Sequence, residues 1–137
     1  MKKIVLISCV SKKGNNKTRA KNLYKSPLFI KSLAYGQKLN PDKIYILSAL
    51  HHLLDLDTEI EPYNLTLNKM TKSEKENWGK KVIEQLQQVS DIKKDTFIVL
   101  AGQNYLTPIQ NSLTNIETPL NRKKIGERLQ YLTNQLK

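Results

Sequence analysis

Three short apolar runs, set far apart in the chain, limit its fold more than any other feature. They are Lys3–Cys9, Lys43–Ser48 (KIYILS) and Thr96–Ala101 (TFIVLA). Each is rich in Ile, Val and Leu with little polar alternation, the pattern of a strand covered on both faces. Helical spacing fills the intervals. Ser26-Pro27 reads as a helix start, with Ser at the cap and Pro in the first turn, and Leu28, Phe29 and Leu33 carry the helix to about Leu39. Asn40-Pro41 ends it. Ser73–Val89 puts Trp78, Val82, Ile83 and Leu86 at helical spacing, with Thr71 or Ser73 as the cap. Tyr105–Leu113 reads as a helix with Pro108 in its first turn, and Ile125–Leu136 as a last helix on Leu129, Leu132 and Leu136. Ala20–Tyr24 reads as a short helical turn, and Val10–Ala20 and most of His51–Pro62 as loop. Strands separated by helices form parallel sheets. The expected fold is therefore a single α/β domain, residues 1–137, built as a three-layer sandwich around a mostly parallel central sheet.

Charge narrows the partners. The chain has 137 residues, with 23 Lys plus Arg against 12 Asp plus Glu, a formal charge of +11. Such a surface favours polyanions. A membrane is not expected, since the longest apolar runs fall far short of the roughly 20 residues that span a bilayer. The start MKKIVLIS has too short an apolar core for a signal peptide, because Ser11, Lys12 and Lys13 interrupt it. Cys9 is the only cysteine, which excludes an internal disulfide and a multi-cysteine zinc site. A reducing cytoplasm is the expected compartment.

In parallel sheets ligands bind outside the carboxyl ends of the strands, and those ends carry the unusual residues. Past the first strand come Ser8, Cys9, Ser11, Lys12 and Lys13. Small hydroxyls and lysines in a turn can bind phosphate through backbone N–H groups and ammonium charge. A solvated basic loop over a buried Cys9 is the plain alternative. Past the second strand come Ser48 and the only histidines, His51 and His52. A histidine there can act as general acid or base, or simply start a turn. Then follow Asp55, Asp57, Glu59 and Glu61 in alternation, which an extended segment would place on one face. Their readings are a water-activating or charge-stabilising carboxylate, an oxygen-ligand cation site, or compensation of nearby lysines. Tyr63 follows, an aromatic able to stack on a base. Past the third strand, Gly102 allows close backbone approach, and the Gln103 and Asn104 amides can read a base edge, or the segment is a plain turn. Arg122, Lys123, Lys124 and Arg128 form a basic patch suited to phosphate or to solvent alone.

Taken together these segments resemble a family of small bacterial and phage domains. The pattern S-C-x-x-K-K falls on Ser8, Cys9, Lys12 and Lys13, and L-Y-x-S-x-L-F on Leu23, Tyr24, Ser26, Leu28 and Phe29. I-L-S-A-x-H-x-L-L falls on Ile46–Ala49, His51, Leu53 and Leu54, and I-E-P-Y-x-x-T-L on Ile60–Tyr63, Thr66 and Leu67. I-G-x-R-L-Q-x-L falls on Ile125, Gly126, Arg128, Leu129, Gln130 and Leu132. Leu50 and His52 stand where that family usually has a basic residue and a glycine. The family is similar in turn to the uracil-DNA-glycosylase-like α/β fold and to a domain of archaeal archaeosine synthases.

The resemblance implies a nucleobase- or nucleic-acid-processing enzyme, with hydrolysis of an N-glycosidic bond, as in DNA glycosylases, as the candidate reaction. It needs no metal and no cofactor. Asp57 or Glu61 would supply the carboxylate, and His51 a proton to the leaving base. Lys12, Lys13 and Arg128 would hold phosphate, and Tyr24 or Tyr63 would stack on a flipped base. The partner would be nucleic acid, DNA ahead of RNA, or a nucleotide. The alternatives are a non-catalytic nucleic-acid-binding accessory protein of a phage or mobile element, and a small-nucleotide-processing enzyme.

Overall fold

A computed structural model describes residues 1–8 and 16–137; Cys9, Ser11, Lys12 and Lys13 lie outside the described residues. The central sheet has the order β4-β3-β1-β6-β7, with β1 at Lys3–Ser8, β3 at Lys43–Ser48, β4 at His52–Asp55, β6 at Thr96–Leu100 and β7 at Asn115–Glu117. β1 pairs parallel with both β3 and β6, β6 pairs parallel with β7, and β4 is the antiparallel edge. A two-stranded antiparallel ribbon joins β2 (Thr18–Arg19) to β5 (Glu59–Ile60). The helices are α1 (Ala20–Leu23), α2 (Pro27–Lys38), α3 (Lys72–Val89), α4 (Gln103–Gln110) and α5 (Ile125–Gln135), with a 3-10 turn at Leu67–Lys69. No helix among the described residues is long and apolar enough to cross a membrane.

The apolar runs became the middle of the sheet. Ile4, Val5, Leu6 and Ile7 are at most 1% exposed, and Phe97 to Leu100 at most 4%. Connections leave β1 towards β3 on one side, then return past it to β6 and β7. Right-handed crossovers therefore assign α2 to one face and α3 with α4 to the other. α2 packs closely at Gly36, where a Cβ would lie 3.1 Å from Val5 and 3.7 Å from Ile44, register neighbours on one face. α5 lies along α2, with Lys31 Nζ donating to Thr133 Oγ1 and the Tyr35 ring edge-on to Tyr131.

Local signals explain the helix starts. Ser26 Oγ accepts the Phe29 N–H with Pro27 in the first turn, and Thr71 and Glu74 form a reciprocal capping box on α3. Three expectations need correction. His51–Pro62 is not mostly loop, because β4 turns back on β3 and β5 pairs with β2. The four acids do not share a face, since a turn at Leu56-Asp57, closed by the Asp57 N–H on the Asp55 carboxylate, divides them. α4 starts at Gln103, so Pro108 sits beyond its first turn. Pro108 has no N–H for the Asn104 carbonyl, and the loss is tolerated where α4 abuts α3. There a Cβ on Gly79 would lie 2.5 Å from the Pro108 carbonyl oxygen and 2.8 Å from its Cβ. Glycine lets the two helices approach that closely.

At the opposite edge Asp95, 5% exposed, ties the amino ends of the central strands together. Its Oδ2 accepts the Asp91 N–H and its Oδ1 the Lys2 N–H, both at 2.8 Å. These N–H bonds, that from Asp91 first, hold its carboxyl below the ordinary 3.8.

Gly79→Ala is expected to cost about 1–3 kcal/mol in denaturant unfolding by forcing α3 off α4. Gly126→Ala, where nothing lies within 4 Å of the new Cβ, should instead gain about 0.5 kcal/mol. The Asp95 carboxylate has a lower pKa folded than unfolded. Its contribution is present above the unfolded value of 3.8 and is lost as pH falls through the folded one. Urea unfolding followed from about pH 5 to about pH 2 should therefore show a shallower decline for Asp95→Asn than for the parent chain.

Candidate nucleic-acid cleft

The strand order reverses between β1 and β6, and their carboxyl ends part there to leave a crevice. A cleft of about 540 Å³ opens at that point. β1 contributes Ser8, the start of α4 contributes Gly102, Gln103, Asn104 and Tyr105, and α5 contributes Ile125, Arg128 and Leu129. The start of α2 and the segment before α3 close the other sides with Ser26, Leu28, Thr66 and Asn68.

Arg128 is the fixed cation of the described lining. Its Nε donates to the Lys123 carbonyl at 2.8 Å, which aims the guanidinium across the cleft wall. A Cβ on Gly102 would sit 3.4 Å from its Nη1, in ordinary contact with the guanidinium. Gln103 Nε2 donates to Thr107 Oγ1 at 2.6 Å. Asn104 is tied at both ends, donating to Asn68 Oδ1 at 2.6 Å and accepting from Lys75 Nζ at 3.0 Å. Below them the Tyr105 hydroxyl accepts the Leu67 N–H. The described lining carries amides, hydroxyls and a guanidinium, and no Asp or Glu. Residues 9–15 contain no acid either.

Beside the cleft runs a string of hydroxyls. Tyr24 OH lies 2.6 Å from Tyr63 OH, which lies 2.6 Å from Ser48 Oγ, which accepts the His51 N–H at 3.1 Å. The His51 ring stands edge-on to Tyr63 with centroids 5.5 Å apart. Trp78 anchors the string by donating Nε1–H to the Ser48 carbonyl at 2.8 Å, and its ring meets Tyr105 of the cleft edge-on. Ser48 is fully buried and Tyr24 is 1% exposed, with Phe29 against its ring. The Tyr24 ring thus offers no open face for a base, while Tyr63 is half-buried. Next along, burial, then Lys81, pushes the His52 imidazole down towards its neutral form.

The candidate residues therefore divide into separate places. Ser8, Gly102, Gln103 and Arg128 share the cleft, and Ser48, His51, Tyr24 and Tyr63 share the hydroxyl string. Asp57 belongs to neither. β4 carries the chain back along β3, setting Asp55 opposite Tyr45, so Asp57 lies towards the amino end of the parallel strands. It is exposed and paired with Lys21 at 3.0 Å and Arg19 at 3.7 Å. Glu61 is exposed just past β5. Among the described residues no three His, Cys, Asp or Glu side chains gather closely enough to hold a metal ion. Sequence reasoning did not single out Ser26, Leu28, Thr66, Asn68 and Leu129 as site residues. Ser26, Leu28 and Leu129 were legible as helix-building residues, Thr66 only as a letter of a resembled pattern, and Asn68 carried no signal.

Ser48→Ala removes the oxygen that joins Tyr63 to the His51 N–H. It is expected to cost about 1–3 kcal/mol in denaturant unfolding and to shift the His51 ring resonances in NMR spectra.

No curated protein matches the chain. The model of a family of unknown function, DUF6884, matches residues 4–134, and the chain belongs to that family.

Proposed function

We propose that the chain is a nucleic-acid-recognising domain whose cleft between β1 and β6 takes one nucleobase and its phosphate. One observation carries this reading. The cleft gathers a guanidinium, a half-satisfied side-chain amide and a serine hydroxyl, with no carboxylate among its described lining. Arg128 suits a phosphate, which a guanidinium meets with paired donors. The Gln103 amide presents a carbonyl oxygen that no described residue engages, suited to an amino group on a base edge. Pro27, Leu28 and the exposed Leu65 and Ile125 supply apolar contact for the faces of a base. The charge of +11 adds long-range attraction for a polyanion, DNA ahead of RNA. The doubly wound sheet agrees with a likeness to the uracil-DNA-glycosylase-like fold, and a cytoplasmic site of action goes with such a partner. Fold alone does not set the reaction.

The hydroxyl string favours a second reading, a DNA-glycosylase-like hydrolase that breaks the base–sugar bond and adds water to the sugar. His51 would then donate a proton to the leaving base. Glu61 would serve as the carboxylate, since Asp57 is ion-paired towards the other edge of the sheet.

The test is fluorescence anisotropy with labelled single-stranded oligonucleotides, read from about 50 to 200 mM salt. Binding should weaken steeply with salt, and Arg128→Gln and Gln103→Ala should each weaken it about tenfold. Absence of salt-dependent binding overturns the proposal. Mass detection of bases freed from DNA with varied modifications tests the hydrolase reading. Release that disappears in Glu61→Gln would establish it.

A further inference from the structure

A second groove, of about 490 Å³, lies across the first turn of α4 from the cleft and shares Gln103 and Asn104 with it. Its far wall is the start of α3, with Lys72, Lys75 and Glu76, and its floor includes Thr107. Both hollows are of small-molecule size. Their common wall is one helical turn, whose side chains are already braced from both directions. Lys75 Nζ donates to Asn104 Oδ1, and Asn104 Nδ2 donates to Asn68 Oδ1 in the cleft. Lys72 and Lys75 bring two positive charges against the single carboxylate of Glu76, which stands four residues past Lys72 and within pairing reach of it on the helix.

Resting on the cleft as a base-and-phosphate site, we infer that this groove is the next phosphate subsite, and that the ligand is single-stranded nucleic acid of two or more nucleotides. A free nucleotide fills one hollow and leaves the other empty. A flexible strand bends over the Gln103–Asn104 turn, with Arg128 on one phosphate and Lys72 with Lys75 on a following one. A rigid duplex cannot drop into two hollows parted by one turn of helix. The net charge of the groove is the sign this requires.

The experiment compares mononucleotide, short single strands of increasing length and a blunt duplex of the same sequence, on the full chain. Proteins tested are the parent, Lys72→Gln/Lys75→Gln, Lys72→Gln alone, and Lys80→Gln. Lys72→Gln alone spares the Asn104 contact, and Lys80 is an exposed lysine of α3 outside both hollows. In the parent, affinity should rise sharply on passing from one nucleotide to several. In Lys72→Gln/Lys75→Gln that gain should collapse and the salt slope become shallower by about 0.7, the value for one phosphate contact on a single strand. Lys72→Gln should show about half that change, and Lys80→Gln almost none. Equal slopes for the groove and Lys80 variants would overturn the inference while leaving the cleft reading intact if Arg128→Gln still weakens binding. A duplex bound as tightly as the single strand, with the same dependence on the groove lysines, would also overturn it. Failure of the parent to bind any of these ligands overturns both readings.

Discussion

Everything in the molecule hangs on β1 being hydrogen-bonded along both edges. Its register with β3 sets Ser8 beside Leu47, one residue from Ser48, and its register with β6 brings Leu100, and so Gly102, to the same edge. Because the strand lies between neighbours whose connections run in opposite directions, the gap at its carboxyl end is open above and lined from both helical layers. The cleft follows from pairing geometry, and the polar residues around it are those carried just past the strand ends.

The acids of this basic chain are spent largely on structure. Asp55 holds Lys43 at 2.8 Å, Asp57 holds Lys21 and Arg19, and Asp95 holds two backbone N–H groups. Glu74 and Glu127 receive N-terminal N–H groups of α3 and α5. None of these acids is among the described residues that line the cleft. Cations remain at its margins, from Arg128 on one side to Lys72 and Lys75 on the other. Such a division favours capture of an anion over hydrolysis by a carboxylate, which is why recognition is the leading reading.

The central layer was legible because unbroken apolar runs have one good solution, burial on both faces. Helix starts were legible from Ser26-Pro27 and Thr71-x-x-Glu74. β4 was not, since His52–Asp55 draws its stability from pairing with β3 rather than from its own pattern. His52 also adopts φ 63°, left-handed backbone, at the position where the resembled family has glycine. A non-glycine residue there conceals the turn that folds β4 back. β7 is three residues long and only partly buried, so it carried little signal. Of the site, the strand-end rule located Ser8, Ser48, Gly102 and Gln103. For Asp57 the sequence left a catalytic carboxylate and the compensation of nearby lysines side by side, and the pairing with Lys21 and Arg19 bears out the second; the choice depended on the β2–β5 ribbon, a contact between distant segments.

The clasp made by Asp95 reaches across 93 residues, from the turn before β6 to the Lys2 N–H. A ribosome delivers β1 first and its second neighbour last but one. Until β6 emerges, the backbone N–H and C=O groups along one edge of β1 have no mate. An unpaired strand edge of this kind invites association until its partner is available. Assembly of the sheet centre is then a late, long-range event, slower than the helical content alone would imply.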